Sequence, residues 1–235
     1  MVELMSTKRC LVPLHWVLLP VLLPVSPVLA QQQAVDFNPL AQVALAELRE
    51  TNTPGAAVAI VSGDRLVFAK GFGRDNIETG TPVTPDTLFR VGSVTKMFTA
   101  AVLVTLANAD HIKLDEPIGK YLSGLNAKLS VVTVHQLLSH TAGMTDESPP
   151  DYGSHDDSAL AAYVRSLKTD HFFTEPGRIF SYSNPGYDVA GLLIEELGGR
   201  SYADVMSDRL FAPLGMSRTT FRPTVAMTYP LSQGH

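Results

Sequence analysis

The sequence predicts an α+β fold in which one β-hairpin precedes a succession of helices. Three observations carry this. Two runs rich in Val, Ile, Ala and Phe, residues 56–62 and 66–72, are joined at Gly63-Asp64, a hairpin signal. Residues 94–109 form an uncharged apolar stretch of helical length, apart from Lys96. Beyond it, the apolar runs read as further helices.

The elements follow in order. Residues 39–51 read as an amphipathic helix, with Leu40, Val43, Ala44, Leu45 and Leu48 on or near one face. The hairpin comes next. A lone hairpin is at best marginally stable in water and needs a third strand or a covering helix. Its unpaired apolar edges are open to aggregation, and helix 39–51 can cover one face. Residues 75–86 are a loop rich in Gly, Pro and Thr. The stretch 94–109 is apolar almost all round, which predicts a helix buried on every side. A short segment near 118–122 follows, then helices near 134–139, 158–167, 189–197 and 203–211.

The N-terminus reads as an export signal. Lys8 and Arg9 precede an apolar stretch at 11–29, and Val28-Leu29-Ala30 is a small-residue cleavage site before Gln31. The rival reading is a membrane anchor, which Pro13, Pro20, Pro24 and Pro27 disfavour as a continuous spanning helix. Cleavage after Ala30 places the protein in the periplasm or outside the cell, with no stable membrane anchor. It also removes Cys10, the sole cysteine, so the mature chain would contain no disulfide. Loss of Glu3, Lys8 and Arg9 takes the net charge from −5 to −6. An acidic chain of this kind argues against nucleic-acid binding, which needs a basic face. The remaining ~205 residues suffice for one core or two subdomains.

Ser93-Val94-Thr95-Lys96 carries the most chemistry. It stands where the chain enters the apolar helix. Positions i and i+3 are neighbours on one helix face. A neutral Lys96 amine could therefore take the Ser93 proton and make the serine nucleophilic. One such pair is close to chance for this composition, so the central helix supplies the weight. The competing reading is that Lys96 snorkels from the helix end, its stem packed and its amine wet.

Tyr182-Ser183-Asn184 follows the Pro176-Gly177 turn signal and precedes a helical run. Its phenol can relay a proton, and its amide can hold a substrate carbonyl or the lysine. It can equally be a capping segment with Asn184 as N-cap and Pro185 at the first helical position. The two roles are compatible. The acidic stretch 144–157, with Asp146, Glu147, Asp151, Asp156 and Asp157, matches no metal-ligand order and reads as a solvated loop. His135 and His140 lack the Glu of the zinc-protease motif and read as packing or turn residues. No Gly-x-Ser-x-Gly elbow occurs. No metal or cofactor is expected.

Together these residues resemble the penicillin-recognising serine hydrolase superfamily, which includes class C β-lactamases, D-alanyl-D-alanine carboxypeptidases, D-aminopeptidases and related esterases. Ser-x-x-K followed by Tyr-Ser-Asn is similar to the class C and carboxypeptidase branch. Four further stretches share the resemblance: 54–60 (Pro-Gly-Ala-Ala-Val-Ala-Ile), 89–93 (Phe-Arg-Val-Gly-Ser), 137–144 (Leu-Leu-Ser-His-Thr-Ala-Gly-Met) and 213–216 (Pro-Leu-Gly-Met). The resemblance implies a β-lactamase/transpeptidase-like fold, an antiparallel sheet with flanking helices plus an inserted all-helical domain. In that scheme residues 31–92 begin the α/β part and 93–235 form a mainly helical part.

It also implies a serine acyl-enzyme acting on an amide or ester carbonyl, with a small molecule or peptide as substrate. Ser93, Lys96 and Tyr182 would be catalytic, and Asn184 would bind substrate. The family's third motif, Lys-Thr-Gly or His-x-Gly, is absent after Asn184. The chain therefore reads as the N-terminal portion of such a domain, lacking the C-terminal strands. An acylating sensor or an inactive homologue without turnover stays open as an alternative.

Overall fold

The computed structural model describes residues 35–147 and 156–234. The expected signal peptide and residues 148–155 of the acidic loop lie outside the described residues. The hairpin forms as the sequence predicts. β1 (Gly55–Ser62) and β2 (Arg65–Gly73) pair antiparallel, with Ser62 opposite Arg65 and a bulge between Ile60 and Val61. Helix α1 (Asn38–Glu50) lies on β2, and Phe37 just before it meets Phe68 with ring centroids 4.9 Å apart. That contact partly covers one face of a hairpin that would be marginal alone. Val61 and Leu66, near the turn, remain exposed.

The rest is helical. It comprises α2 (Thr95–Asn108), α3 (Ala127–Ser130), α4 (Val134–Leu138), α5 (Ala159–Ser166), α6 (Asn184–Gly198), α7 (Tyr202–Met206) and α8 (Pro223–Ala226). A π-helical turn, Ser207–Phe211, continues α7. Helix α6 is the centre of this body. It is in contact with α2, α4, α5 and α7, and every residue from Val189 to Ile194 is buried. Gly191 lets Leu160 and Tyr202 approach its backbone, each within 3.6 Å of where a Cβ would stand. Leu103, Leu106, Leu137, Leu193 and Met206 share one core. Helix α4 begins with a capping box between Thr133 and Gln136.

Two expectations are corrected. Helix α2 is not buried on every side. Thr99, Val102, Leu103 and Leu106 face the core, while Met97 is 59% and Val104 40% exposed. The helices packed on α2 lie along one flank, so the opposite apolar stripe meets solvent. Helix α6 starts at Asn184, one residue before Pro185 and well before residue 189, and its N-cap is Ser183 rather than Asn184. The Ser183 hydroxyl accepts the Gly186 N–H at 3.1 Å. Asn184 is unavailable for capping because its amide oxygen is bound elsewhere, as described below.

Some local structure was not predicted. The short α3 and α8 are new, and Leu88 forms a parallel bridge with Leu231. The Leu88 N–H donates to Pro230 and its carbonyl accepts from Ser232. Among the described residues no helix is long and apolar enough to cross a membrane. Among them no group of three or more His, Cys, Asp or Glu side chains could hold a metal ion.

The Ser183 cap is buried and starts the central helix, so it should matter to stability. Ser183→Ala should lower the unfolding free energy by about 1–2 kcal/mol, read as a shifted urea midpoint at unchanged slope. A loss under about 0.5 kcal/mol would be that of an ordinary surface change and would contradict this role.

Candidate active site

Ser93 sits on a 3₁₀ turn, Gly92–Val94, that runs directly into α2. Gly92 enters the turn at φ 51°, a left-handed angle that favours glycine. Ser93 is thereby exposed at the mouth of the helix while Lys96 lies one turn in. The predicted i, i+3 contact forms, with Lys96 Nζ donating to Ser93 Oγ at 3.2 Å.

Tyr182, Ser183 and Asn184 arrive from the other side, on the segment that starts α6. Tyr182 Oη and Ser93 Oγ are 2.6 Å apart. Lys96 Nζ donates to Asn184 Oδ1 at 2.6 Å. The structure therefore brings all four expected residues together, Ser93 and Tyr182 from 89 positions apart in the chain. Lys96 neither snorkels freely nor stands alone. Its Nζ also lies over the Tyr182 and Tyr187 rings, 4.8 and 5.5 Å from their centroids. The hydrogen bond with Lys96, followed by the one with Ser93, draws the Tyr182 phenol below its ordinary pKa. A phenol so placed ionises more readily and suits proton transfer.

The segment carrying Tyr182 is held by residues from two loops. His140 takes a left-handed backbone, φ 57°, and stacks on Tyr182 with centroids 4.6 Å apart. Its Nδ1 accepts the Ser183 N–H at 3.1 Å, which requires an unprotonated Nδ1. Burial, then the Lys96 charge, lowers the His140 pKa and keeps it neutral. His140 is thus a packing and turn residue, as its sequence context suggests, but one packed on the site.

Asp146 Oδ1 accepts the Asn184 N–H at 2.6 Å. The acidic stretch is accordingly not simply solvated: Asp146 anchors the Tyr-Ser-Asn segment, and Asp157 pairs with Arg222 at 3.1 Å. Asp151 lies outside the described residues. Tyr187 Oη donates to the Leu138 carbonyl at 2.9 Å, tying α6 to the end of α4.

Sequence reasoning passed over Asp188. It follows Asn184 by one helical turn, and the available signal was a carboxylate inside an apolar helical run. Asp188, Thr99, Tyr202, Lys96 and Asn184 border a cavity of about 590 Å³. Thr99 and Tyr202 are joined there by a 2.7 Å hydroxyl contact.

The arrangement can activate a serine. Ser93 Oγ lies within hydrogen-bond reach of an amine and a phenol, and the amine is oriented by an amide. Covalent catalysis uses arrangements of this kind, in which a hydroxyl stands beside a base that a third group orients.

Comparison with known proteins identifies the family. The Beta-lactamase family model matches residues 38–235. Penicillin-binding protein 4 of Amycolatopsis lactamdurans is 35% identical over 191 residues, covering 79% of this chain and 49% of the relative. Among solved structures, the octameric penicillin-binding protein homologue from Pyrococcus abyssi superposes with a TM-score of 0.74 at 28% identity. That match covers 85% of this chain and 48% of the other. D-alanine carboxypeptidase AmpC from Burkholderia cenocepacia gives 0.68 at 29% identity, over 85% of this chain and 55% of the other. The chain thus spans about half the length of the relatives it matches. It has a β-lactamase/transpeptidase-like fold and belongs to the Beta-lactamase family of serine hydrolases, within the penicillin-recognising superfamily.

Proposed function

We propose that the protein to which this chain belongs is an acyl-transferring hydrolase that works through a Ser93 acyl-enzyme. The observation that carries this is the placement of Ser93 Oγ between the Tyr182 phenol at 2.6 Å and the Lys96 amine at 3.2 Å. As Ser93 Oγ bonds to a substrate carbonyl carbon, its proton passes to Lys96. Tyr182 then delivers a proton to the departing group. The Ser93 N–H, at the start of the α2 turn, supplies one donor to the oxyanion, and one such donor is worth about 10²–10³ in rate. Water then releases the acyl group. Asn184 holds the amine and borders the substrate position.

The substrate class is an activated amide or ester carbonyl in a β-lactam, a D-amino-acid peptide or a simple ester. The similarity to a penicillin-binding protein and to a D-alanine carboxypeptidase supports the first two. Partners are therefore small molecules or peptides, not nucleic acid. The basic-apolar N-terminus supports export, with cleavage after Ala30.

Three outcomes follow. A fluorophosphonate probe should modify Ser93 and no other serine, and Lys96→Met should abolish labelling with helical circular dichroism unchanged. Peptide mapping that places the adduct on Ser183, or full labelling of the Lys96 variant, would refute the assignment. Tyr182→Phe should lower kcat and kcat/KM together, by roughly 10²-fold, as expected for loss of proton transfer. Full turnover in that variant would return Tyr182 to the capping segment. Exported protein should begin at Gln31 by N-terminal sequencing, and a mature species that retains Trp16 would contradict the cleavage.

A further inference from the structure

The cavity behind Lys96 holds a carboxyl group that the Ser93 chemistry above leaves without a role. Asp188 lies four residues after Asn184 on α6, so the two side chains share a helix face. Its Oδ2 is fully buried and has no hydrogen-bond partner. Leaving a buried polar oxygen unpaired is costly, and such a group calls for a physical reason.

The other acids around the cavity are already engaged. Asp157 pairs with Arg222, Glu195 accepts the Tyr202 N–H at 3.0 Å, and Asp156 accepts from Ser158. The phenol of Tyr202 faces the cavity from α7 and is hydrogen-bonded to Thr99, and Tyr187 borders it from α6. Among the described residues lining the cavity, Lys96 is the only cation.

We infer that Asp188 is the positioning residue of Lys96: an anion across the cavity that stabilises the ammonium Lys96 becomes when it takes the Ser93 proton. The inference rests on the Ser93–Lys96 reading above. In acylation, the Ser93 O–H bond breaks and Oγ bonds to the carbonyl carbon. The carbonyl π pair moves to oxygen, and the proton makes Lys96 a cation. When the tetrahedral species collapses, the bond to the leaving group breaks, that group takes a proton, and Lys96 returns to the amine. Asn184 orients the amine but brings no charge. Asp188 supplies the charge, the part played by the third member of a serine triad.

Burial raises the Asp188 carboxyl to about 6, against the opposing pull of Lys96. The active form is the carboxylate, so activity should fall as pH drops through about 6. The sign for stability is the reverse. A carboxyl raised in the folded state above its ordinary 3.8 loses stability as pH rises from there to about 6. Removing the charge should therefore not lower Tm at pH 7.5.

Two measurements on the full chain test this. Carboxyl ¹³C NMR should show Asp188 titrating near pH 6, with the midpoint moving upward in Lys96→Met. An unmoved midpoint means that the two groups do not sense each other, and overturns the inference. Hydrolysis of p-nitrophenyl acetate gives the second readout. Asp188→Asn should reduce kcat about tenfold, one pKa unit of coupling, with KM within twofold, the acid limb near pH 6 lost and Tm not reduced. Asp188→Glu should recover part of kcat. Unchanged kcat, or kcat and Tm falling together with the acid limb intact, overturns the inference. Hydrolysis that persists in Ser93→Ala would instead refute the serine hydrolase reading, and the NMR titration alone would then decide the role of Asp188.

Discussion

The hydrogen bond from Lys96 Nζ to Asn184 Oδ1, 2.6 Å long, is the constraint on which the site depends. It crosses from the first turn of α2 to the first residue of α6. Everything else about the site follows from where those two helices start. Ser93 is carried by the turn before α2, and Tyr182 by the strand-like residues before α6. If the helix starts are fixed relative to each other, the hydroxyl, amine and phenol are fixed too. An N–H···O bond of this length is at the short end of the usual range.

The fold holds the helix starts by different means. Helix α2 is set by the core, through Val102, Leu103 and Leu106 against α6. The start of α6 is set by polar contacts: the Ser183 cap, the Asp146 carboxylate on the Asn184 N–H, and His140 beneath Tyr182. Burial gives α2 its place, and hydrogen bonds give the Tyr-Ser-Asn segment its orientation. The division is physically sensible. Hydrophobic packing is strong but non-directional, whereas proton transfer needs atoms held at hydrogen-bond distance.

The sequence made some of this legible. The hairpin was readable because Gly63-Asp64 leaves two strands of suitable composition no other short connection. The Ser93–Lys96 contact was readable because helix geometry alone brings i and i+3 together. The start of α6 was misread. Asn184 and Ser183 are both good capping residues, and local propensity cannot tell which one a lysine 88 positions away will claim. The exposed stripe of α2 escaped for a related reason, since an apolar helix does not announce which of its faces a partner covers. Asp188 and the roles of His140 and Asp146 depend on tertiary contacts, and a single sequence offers no periodicity for them.

Asn184 should act by aiming Lys96 at Ser93. The rate of Ser93 labelling by a fluorophosphonate, measured for Asn184→Ala, Lys96→Met and the double variant, tests it through the coupling energy. If the amide works through the amine, Asn184→Ala should slow labelling of the native chain at least tenfold. It should then add almost nothing to the residual rate of the Lys96 variant. Equal slowing in both backgrounds would show that Asn184 acts independently of the lysine, and would contradict the account.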